Sequence, residues 1–325
     1  MLGTKITEVD YKTTQLYGGT LGDVKLIEGN AKNDDGKFNS YKVVIKTQGK
    51  WERYKDADSW RREYDLYKSD LGKLFSESFR WAECYYTEIN DDENETQIWM
   101  EYIDGVSGLD LEIDMYIKAA EELGRFQGKL YIQSPVILNN LTNLSKMSYA
   151  KDFYHHYRSW HEVYDYIRSD SCDLPNHLCK MLIEIDENED EIFKRIEKLP
   201  RVFCHRDFWV TNIFYVNGNI RLIDWDTTGW GYLGEDIAAL IADEANVELM
   251  LEIYQKCIPA YYKGFSQYVD ISGIKDNCIW ELIIVLFGYR LIEWYKIAES
   301  HEEKEYHLKT MQKIYEMKKE SYENS

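Results

Sequence analysis

The residues best equipped for chemistry lie between Cys204 and Asp226. The run Cys204-His205-Arg206-Asp207-Phe208-Trp209-Val210-Thr211-Asn212 sets a carboxylate and a carboxamide one short loop apart. A carboxylate at Asp207 can accept or orient the proton of an attacking hydroxyl. An amide oxygen at Asn212 can ligate a metal ion without adding another negative charge beside phosphates. Leu222-Ile223-Asp224-Trp225-Asp226 follows, a β-type run that ends in carboxylates. Between the two, Asn217-Gly218 is a type I′ hairpin signal. A hairpin there returns Asp224 to the side of Asn212, giving an oxygen-donor pair suited to Mg²⁺. A surface hairpin with solvated acids would have the same spacing. Against it, apolar Val202, Phe203, Ile213, Phe214, Leu222 and Ile223 flank the polar residues, as expected of a loop held by buried strands.

Three weaker features stand upstream. Val43-Val44-Ile45-Lys46 ends a strand-like run with a lysine, and Glu63 follows seventeen residues later in Arg61-Arg62-Glu63. An ion pair between Lys46 and Glu63 would fix the lysine, with Glu52 and Asp65 as competing partners. In Tyr17-Gly18-Gly19-Thr20-Leu21-Gly22-Asp23-Val24, backbone N–H groups at Gly19 and Gly22 can approach phosphates; an ordinary glycine turn fits the same residues. Ile98 to Gly105 joins the two halves of the chain. An extended crossover at about residues 99–104 would offer backbone groups, at Glu101 and Ile103, to a flat heteroaromatic ring such as adenine. A plain buried strand would read alike.

The elements that must position these groups follow from periodicity. Val24 to Glu28 and Ser40 to Thr47 are strand candidates, separated by the turn Asn33-Asp34-Asp35-Gly36. Ser59 to Leu74 changes to helical spacing, with Trp60, Tyr64, Tyr67 and Leu71 on one face. Ala82 to Ile89 and Thr96 to Ile103 are further strands. Ile113 to Tyr131, Lys151 to Ser169 and Met181 to Lys198 predict helices, and Arg201 to Asp226 a β island within the helical half. The expected architecture is α+β in two lobes: a small β-rich lobe over 1–103 with one helix, and a larger, mostly helical lobe over 104–325.

Bulk properties narrow the function classes. Fifty-eight acidic against 39 basic residues give a formal charge of −19, a field that repels nucleic acid and anionic membrane and attracts cationic ligands. Six cysteines lack metal-ligand spacing, and Met1 to Asp10 is polar, so free thiols in a reducing cytoplasm are expected. The longest apolar run, Ile279 to Tyr289, is interrupted by Glu281 and is too short to cross a bilayer.

Taken in chain order, the glycine loop, strand lysine, helix glutamate, HxDxxxxN run and Ile-Asp-Trp-Asp resemble the aminoglycoside phosphotransferase and choline kinase superfamily. This is the small-molecule branch of the protein-kinase-like bilobal fold, whose catalytic-loop pattern His205 to Asn212 matches. The resemblance spans residues 15–245. Asp224-Trp225-Asp226 replaces the Asp-Phe-Gly of protein kinases, and no Ala-Pro-Glu follows it. Gly234-Glu235-Asp236-Ile237-Ala238-Ala239-Leu240 is instead similar to the Asp-Leu-Ala segment of these phosphotransferases, with Asp236 a loop anchor. The resemblance implies Asp207 as the catalytic residue and ATP (or GTP) with Mg²⁺ as cofactors. Lys46, positioned by Glu63, would meet the phosphates under Gly19 and Gly22. Glu101 and Ile103 would meet the base, and Asn212 and Asp224 the metal.

It also implies a small-molecule acceptor, expected to be cationic, and no nucleic-acid or membrane partner. The helical half should build the acceptor pocket, with Glu235, Asp243, Glu244, Trp280, Glu281, Glu293 and Trp294 as candidates. Trp280, Ile284, Phe287 and Leu291 also fall at the spacing of an ordinary core stripe. An aminoglycoside-type acceptor is expected first, with choline, ethanolamine or an amino sugar as the alternative. A non-catalytic nucleotide-binding protein is the third reading, and intact Lys46, Asp207, Asn212 and Asp224 argue against it.

Overall fold

Runs rich in β-branched and aromatic residues, punctuated by Gly and Asn turns, build the first hundred residues into strands around one short helix. The computed structural model describes residues 5–16, 22–90, 92, 94–133, 136–272, 274 and 278–323. In chain order the N-terminal elements are β1 (Ile6–Gln15), β2 (Asp23–Asn33), β3 (Phe38–Gly49), α1 (Arg62–Lys68), β4 (Phe79–Trp81), β5 (Cys84–Asn90) and β6 (Glu95–Glu101). Five of these strands form an antiparallel sheet in the order β1-β2-β3-β6-β5. Asn33 to Gly36 closes the β2–β3 hairpin, with Gly36 at φ 82°, a left-handed conformation that favours glycine. Register sets Lys46 between Val24 on one side and Ile98 on the other. The sequence reading missed β1, a polar strand exposed along nearly its whole length.

The helix expected over 59–74 is broken. Ser69 takes an extended backbone and its hydroxyl accepts from the Leu71 N–H at 3.1 Å, so α1 stops at Lys68 and a 3₁₀ turn starts at Asp70.

The larger lobe comprises β7 (Val106–Ser107), α2 (Ile113–Gln133), α3 (Val136–Asn139), α4 (Tyr149–Asp152), α5 (Trp160–Ile167), α6 (Asn176–Glu187), α7 (Glu189–Ile196), β8 (Arg201–Cys204), β9 (Ile213–Val216), β10 (Asn219–Leu222), β11 (Gly229–Tyr232), α8 (Glu235–Ala242), α9 (Met250–Phe265), α10 (Ile279–Ile297) and α11 (His301–Glu323). Two expected helices are each split in two. A π-helical turn at Phe153–Tyr157 and an extended Arg158 separate α4 from α5. Asn188, whose side chain bonds back to the Glu184 carbonyl at 2.8 Å, separates α6 from α7.

The β island forms as its turn chemistry requires. Asn217 at φ 49° and Gly218 at φ 86° make the β9–β10 hairpin, with Leu222 opposite Ile213. β10 also pairs in parallel with β4, a strand from the N-terminal hundred residues, so the small sheet β4-β10-β9-β7 draws on both halves of the chain. β8 pairs with β11, a strand the sequence reading did not anticipate. Among the described residues no helix is long and apolar enough to cross a membrane.

The helical core is tightest where α2 crosses α9. A Cβ on Gly124 would collide with the Tyr261 carbonyl oxygen, and one on Gly264 with that of Glu121. The two backbones therefore touch directly, which no larger residue permits. Gly124→Ala is expected to lose about 2–3 kcal/mol through overpacking, read as a lower midpoint in urea unfolding with an unchanged slope.

Candidate active site

β3 delivers Lys46 to the cleft from above, and α1 delivers Glu63 from behind. The Lys46 Nζ lies 2.7 Å from Glu63 Oε2 and 2.5 Å from Asp224 Oδ1. The other oxygen of Glu63 accepts the Trp225 N–H at 3.2 Å. A charge from the sheet is thus tied to carboxylates from both halves of the chain. Burial disfavours the Lys46 charge, yet Asp224, Glu63 and Asp226 hold its pKa well above the usual lysine range. Burial likewise pushes Asp224 upward, but Lys46 outweighs it and holds that carboxyl below its ordinary value.

The loop after β8 is shaped by one buried acid in the first turn of α8. Asp236 accepts the N–H groups of His205 (2.9 Å) and Arg206 (2.8 Å) and the amide of Gln127 (3.0 Å). Arg206 sits at φ 68°, and its guanidinium donates to the carbonyls of Met147 and Trp230 at 2.7 Å each. With both strong contacts on the backbone, Arg206 is an internal brace. His205 Nε2 donates to the Ile223 carbonyl at 3.0 Å, which leaves Nδ1 to accept the Asp207 N–H at 3.3 Å.

Asp207 and Asn212 meet as their spacing suggested. The Asn212 amide donates to Asp207 Oδ2 at 2.9 Å and to its carbonyl at 3.0 Å, and the Asn212 carbonyl accepts from Ile223. With its N–H groups on Asp207, Asn212 keeps Oδ1 as a hard donor one residue pairing away from Asp224. Few protein oxygens beside phosphate oxygens and waters is the donor set that Mg²⁺ takes, so these residues fit that ion. Among the described residues there is no cluster of three or more His, Cys, Asp or Glu side chains that would form a closed cage.

Burial and the charges of Asp224, Asp226 and Asp243 push the Asp207 carboxyl well above its ordinary range, while Arg53 opposes the rise. Burial and the Asp224 charge likewise push Asp226 up to about 7.

The remaining expected residues divide. A Cβ on Gly22 would meet the Thr47 carbonyl oxygen and the Lys46 stem, and Gly19 lies outside the described residues. The Glu101 N–H is bonded to the Glu83 carbonyl and its carboxylate to Arg80 at 2.7 Å, so its side chain supports the crossover from outside. Neither backbone group of Ile103 meets a backbone partner among the described residues. Several proposed acceptor residues are engaged elsewhere. Trp280 is core and donates to the Ile314 carbonyl at 2.8 Å. Glu281 pairs with Arg195, at 3.0 Å from its Nε, and Glu235 is buried beneath Arg206. Asp243 stays in the electrostatic reach of Asp207 and is paired with Arg290, which stacks on Trp294 at 4.6 Å.

Two arginines were missed. Arg53, in the loop after β3, reaches Asp226 Oδ1 at 3.5 Å, and no motif marks it. Arg62 is fully buried, pairs with Asp56, and donates to the carbonyls of Asp226 (2.6 Å) and Asn143 (2.9 Å). Its place four residues before buried Leu66, on the same helical face, was the available signal.

His205 supports a pH prediction. Burial pushes its pKa down from 6.5 to about 4, so the unfolded chain binds a proton in that window that the native state refuses. Stability from this group is therefore present above 6.5 and lost as pH falls towards 4. Asp226 and Asp236, both raised to about 7, titrate in the opposite sense, so the test is a difference. In thermal melts from pH 7 to 4, His205→Gln should remove part of the acid-side loss seen in the wild type.

With this geometry in view, the chain was compared with known proteins. The model of the phosphotransferase enzyme family (APH) matches residues 82–256. No curated protein matches in sequence. A choline kinase from Cryptosporidium parvum Iowa II superposes with a TM-score of 0.56 at 18% identity, covering 97% of this chain and 90% of that one. A microcompartment-associated aminopropanol kinase gives 0.57 at 10% identity, covering 94% and 90%. The GDP complex of aminoglycoside 2′-phosphotransferase-IIIa gives 0.55 at 12% identity, covering 95% and 93%. These likenesses establish the protein-kinase-like fold, with its sheet lobe and helical lobe. The family match spans more than half of the sequence, and the chain belongs to the APH phosphotransferase enzyme family.

Proposed function

We propose that this phosphotransferase moves the γ-phosphoryl group of ATP (or GTP) to a hydroxyl of a small, amino-bearing molecule. The observation that carries the reading is the continuous set Glu63–Lys46–Asp224 with Asn212–Asp207 beside it. The nucleotide lies between the lobes, whose boundary is the crossover at about residues 99–104. The base contacts the Glu101 carbonyl and the free backbone groups of Ile103, and Lys46, held by Glu63 and Asp224, meets the phosphates. Asn212 and Asp224 would hold Mg²⁺, which would supply neutralisation of the phosphate charge there.

Asp207 orients the acceptor hydroxyl and takes its proton as the new O–P bond forms and the bond to the ADP oxygen breaks. Most of the acceleration comes from positioning and charge neutralisation, as expected for a loose transition state. The raised proton affinity of Asp207 in its acidic surroundings suits it to receive that proton.

Asp226 and Asp243 lie within electrostatic reach of Asp207, each also facing an arginine, Arg53 and Arg290, and this acidic neighbourhood favours an amino-bearing alcohol. An aminoglycoside-type acceptor fits this, as the acidity of the chain suggested. With Glu235 and Glu281 engaged elsewhere, the remaining acids also suit a compact amino alcohol such as ethanolamine. Free cysteines throughout fit a reducing, cytoplasmic setting.

Asp207→Asn should fold as the wild type does and lose 10²–10⁴-fold in turnover, the usual contribution of a general base. Coupled ADP release checks it, and near-native turnover would overturn the assignment. Asn212→Ala should raise the Mg²⁺ concentration for half-maximal rate about tenfold, ~1.4 kcal/mol of lost binding, in a Mg²⁺ titration at saturating nucleotide.

A further inference from the structure

The turn that joins α5 to α6 brings two cysteines together. Cys172 lies in the turn, its N–H bonded to the Ser169 carbonyl at 3.2 Å, and Cys179 lies near the start of α6. Their sulfur atoms are 3.6 Å apart, and both are free thiols. A disulfide places its sulfurs about 2.0 Å apart, and side-chain rotation at the turn can supply the roughly 1.6 Å of approach that remains. The ring so closed runs from Cys172 to Cys179.

The two thiols differ in access. Cys172 is partly exposed, whereas Cys179 is buried and donates to the Leu174 carbonyl at 3.7 Å. Burial and the neighbouring Cys172 thiol push Cys179 up to about 11. An oxidant from solution therefore meets Cys172 first, with Cys179 directly behind it. One accessible thiol that reacts and one adjacent thiol that resolves is the layout of a redox pair. Elsewhere Cys204, Cys257 and Cys278 are buried, and Cys84, also partly exposed, donates its thiol to the Tyr86 carbonyl at 3.7 Å.

We propose that Cys172 and Cys179 form a thiol–disulfide site whose oxidant is a low-molecular-weight disulfide of the glutathione class. The Cys172 thiolate attacks one sulfur of that disulfide and its S–S bond breaks. The departing thiolate takes up the proton that Cys172 gave up, leaving a mixed disulfide on Cys172. Cys179 then loses its proton, attacks the Cys172 sulfur and releases the second small thiol. Two protein thiols are oxidised, and one small disulfide is reduced to two thiols. In a reducing setting the pair stays open and closes only under oxidation. The same turn carries Asp173, which accepts the Tyr166 hydroxyl at 2.7 Å and the Lys304 ammonium at 3.1 Å. Closure therefore acts at a joint that ties α5 to α11. The inference is independent of the phosphotransferase reading.

To test it, the full chain is equilibrated over a range of reduced-to-oxidised glutathione ratios, quenched in acid, alkylated and mapped by peptide mass spectrometry. The expected product is an intramolecular Cys172–Cys179 disulfide, two hydrogens lighter than the reduced chain and reopened by dithiothreitol. Cys179→Ser should instead accumulate glutathione on Cys172, and Cys172→Ser should lose the modification of Cys179. The proposal is overturned if wild-type Cys172 remains a free thiol or keeps its glutathione at the most oxidising ratio. It is equally overturned if Cys179 is still modified in a Cys172→Ser chain whose circular dichroism matches the wild type.

Discussion

A buried ammonium group between two carboxylates sets the geometry of the cleft. Lys46 is largely withdrawn from solvent, and Glu63 is withdrawn almost completely. Burying such charges is costly unless each is paired and its remaining hydrogen-bonding capacity is used. The structure meets that condition. Glu63 spends one oxygen on Lys46 and the other on the Trp225 N–H, and Lys46 also holds Asp224. The pairing fixes α1 against β3 and the segment Asp224–Asp226 against both. Displacing any member leaves an uncompensated charge in the interior, so the arrangement stands assembled before any nucleotide arrives.

A second buried acid performs the same service for the backbone. Asp236 gathers two consecutive N–H groups of a loop that contains a left-handed arginine. It is itself held by Gln127, whose amide oxygen accepts the Tyr261 hydroxyl at 2.5 Å. The position of Asp207 is thereby traceable to α2, α8 and α9, the most densely packed part of the molecule. The chemistry sits on a loop, but the loop has little freedom of its own.

The parts of this design that depend on local rules were legible in the sequence. Asn217-Gly218 dictates a hairpin, and the hairpin brings Asp224 to Asn212; Lys46 and Glu63 follow from strand and helix periodicity. What escaped depends on partners distant in sequence. Glu281 and Asp243 are both acids paired with an arginine, Arg195 and Arg290, yet only Asp243 also lies in the electrostatic reach of Asp207. Arg53 belongs to no periodic element, so nothing local marks its reach to Asp226. The breaks at Ser69 and Asn188 arise because short polar side chains bonded the nearby backbone where apolar spacing alone suggested continuous helix.

The parallel pairing of β4 with β10 bears on synthesis. β4 leaves the ribosome early, before β5 and β6, yet its partner strand is made only after α7 and β8. During that interval an apolar strand containing Phe79 and Trp81 has an unsatisfied edge. Long-range pairing of this kind is slow to form and exposed while it waits. The nascent chain therefore cannot finish its N-terminal half before the catalytic hairpin emerges, and the two lobes must complete their folding together.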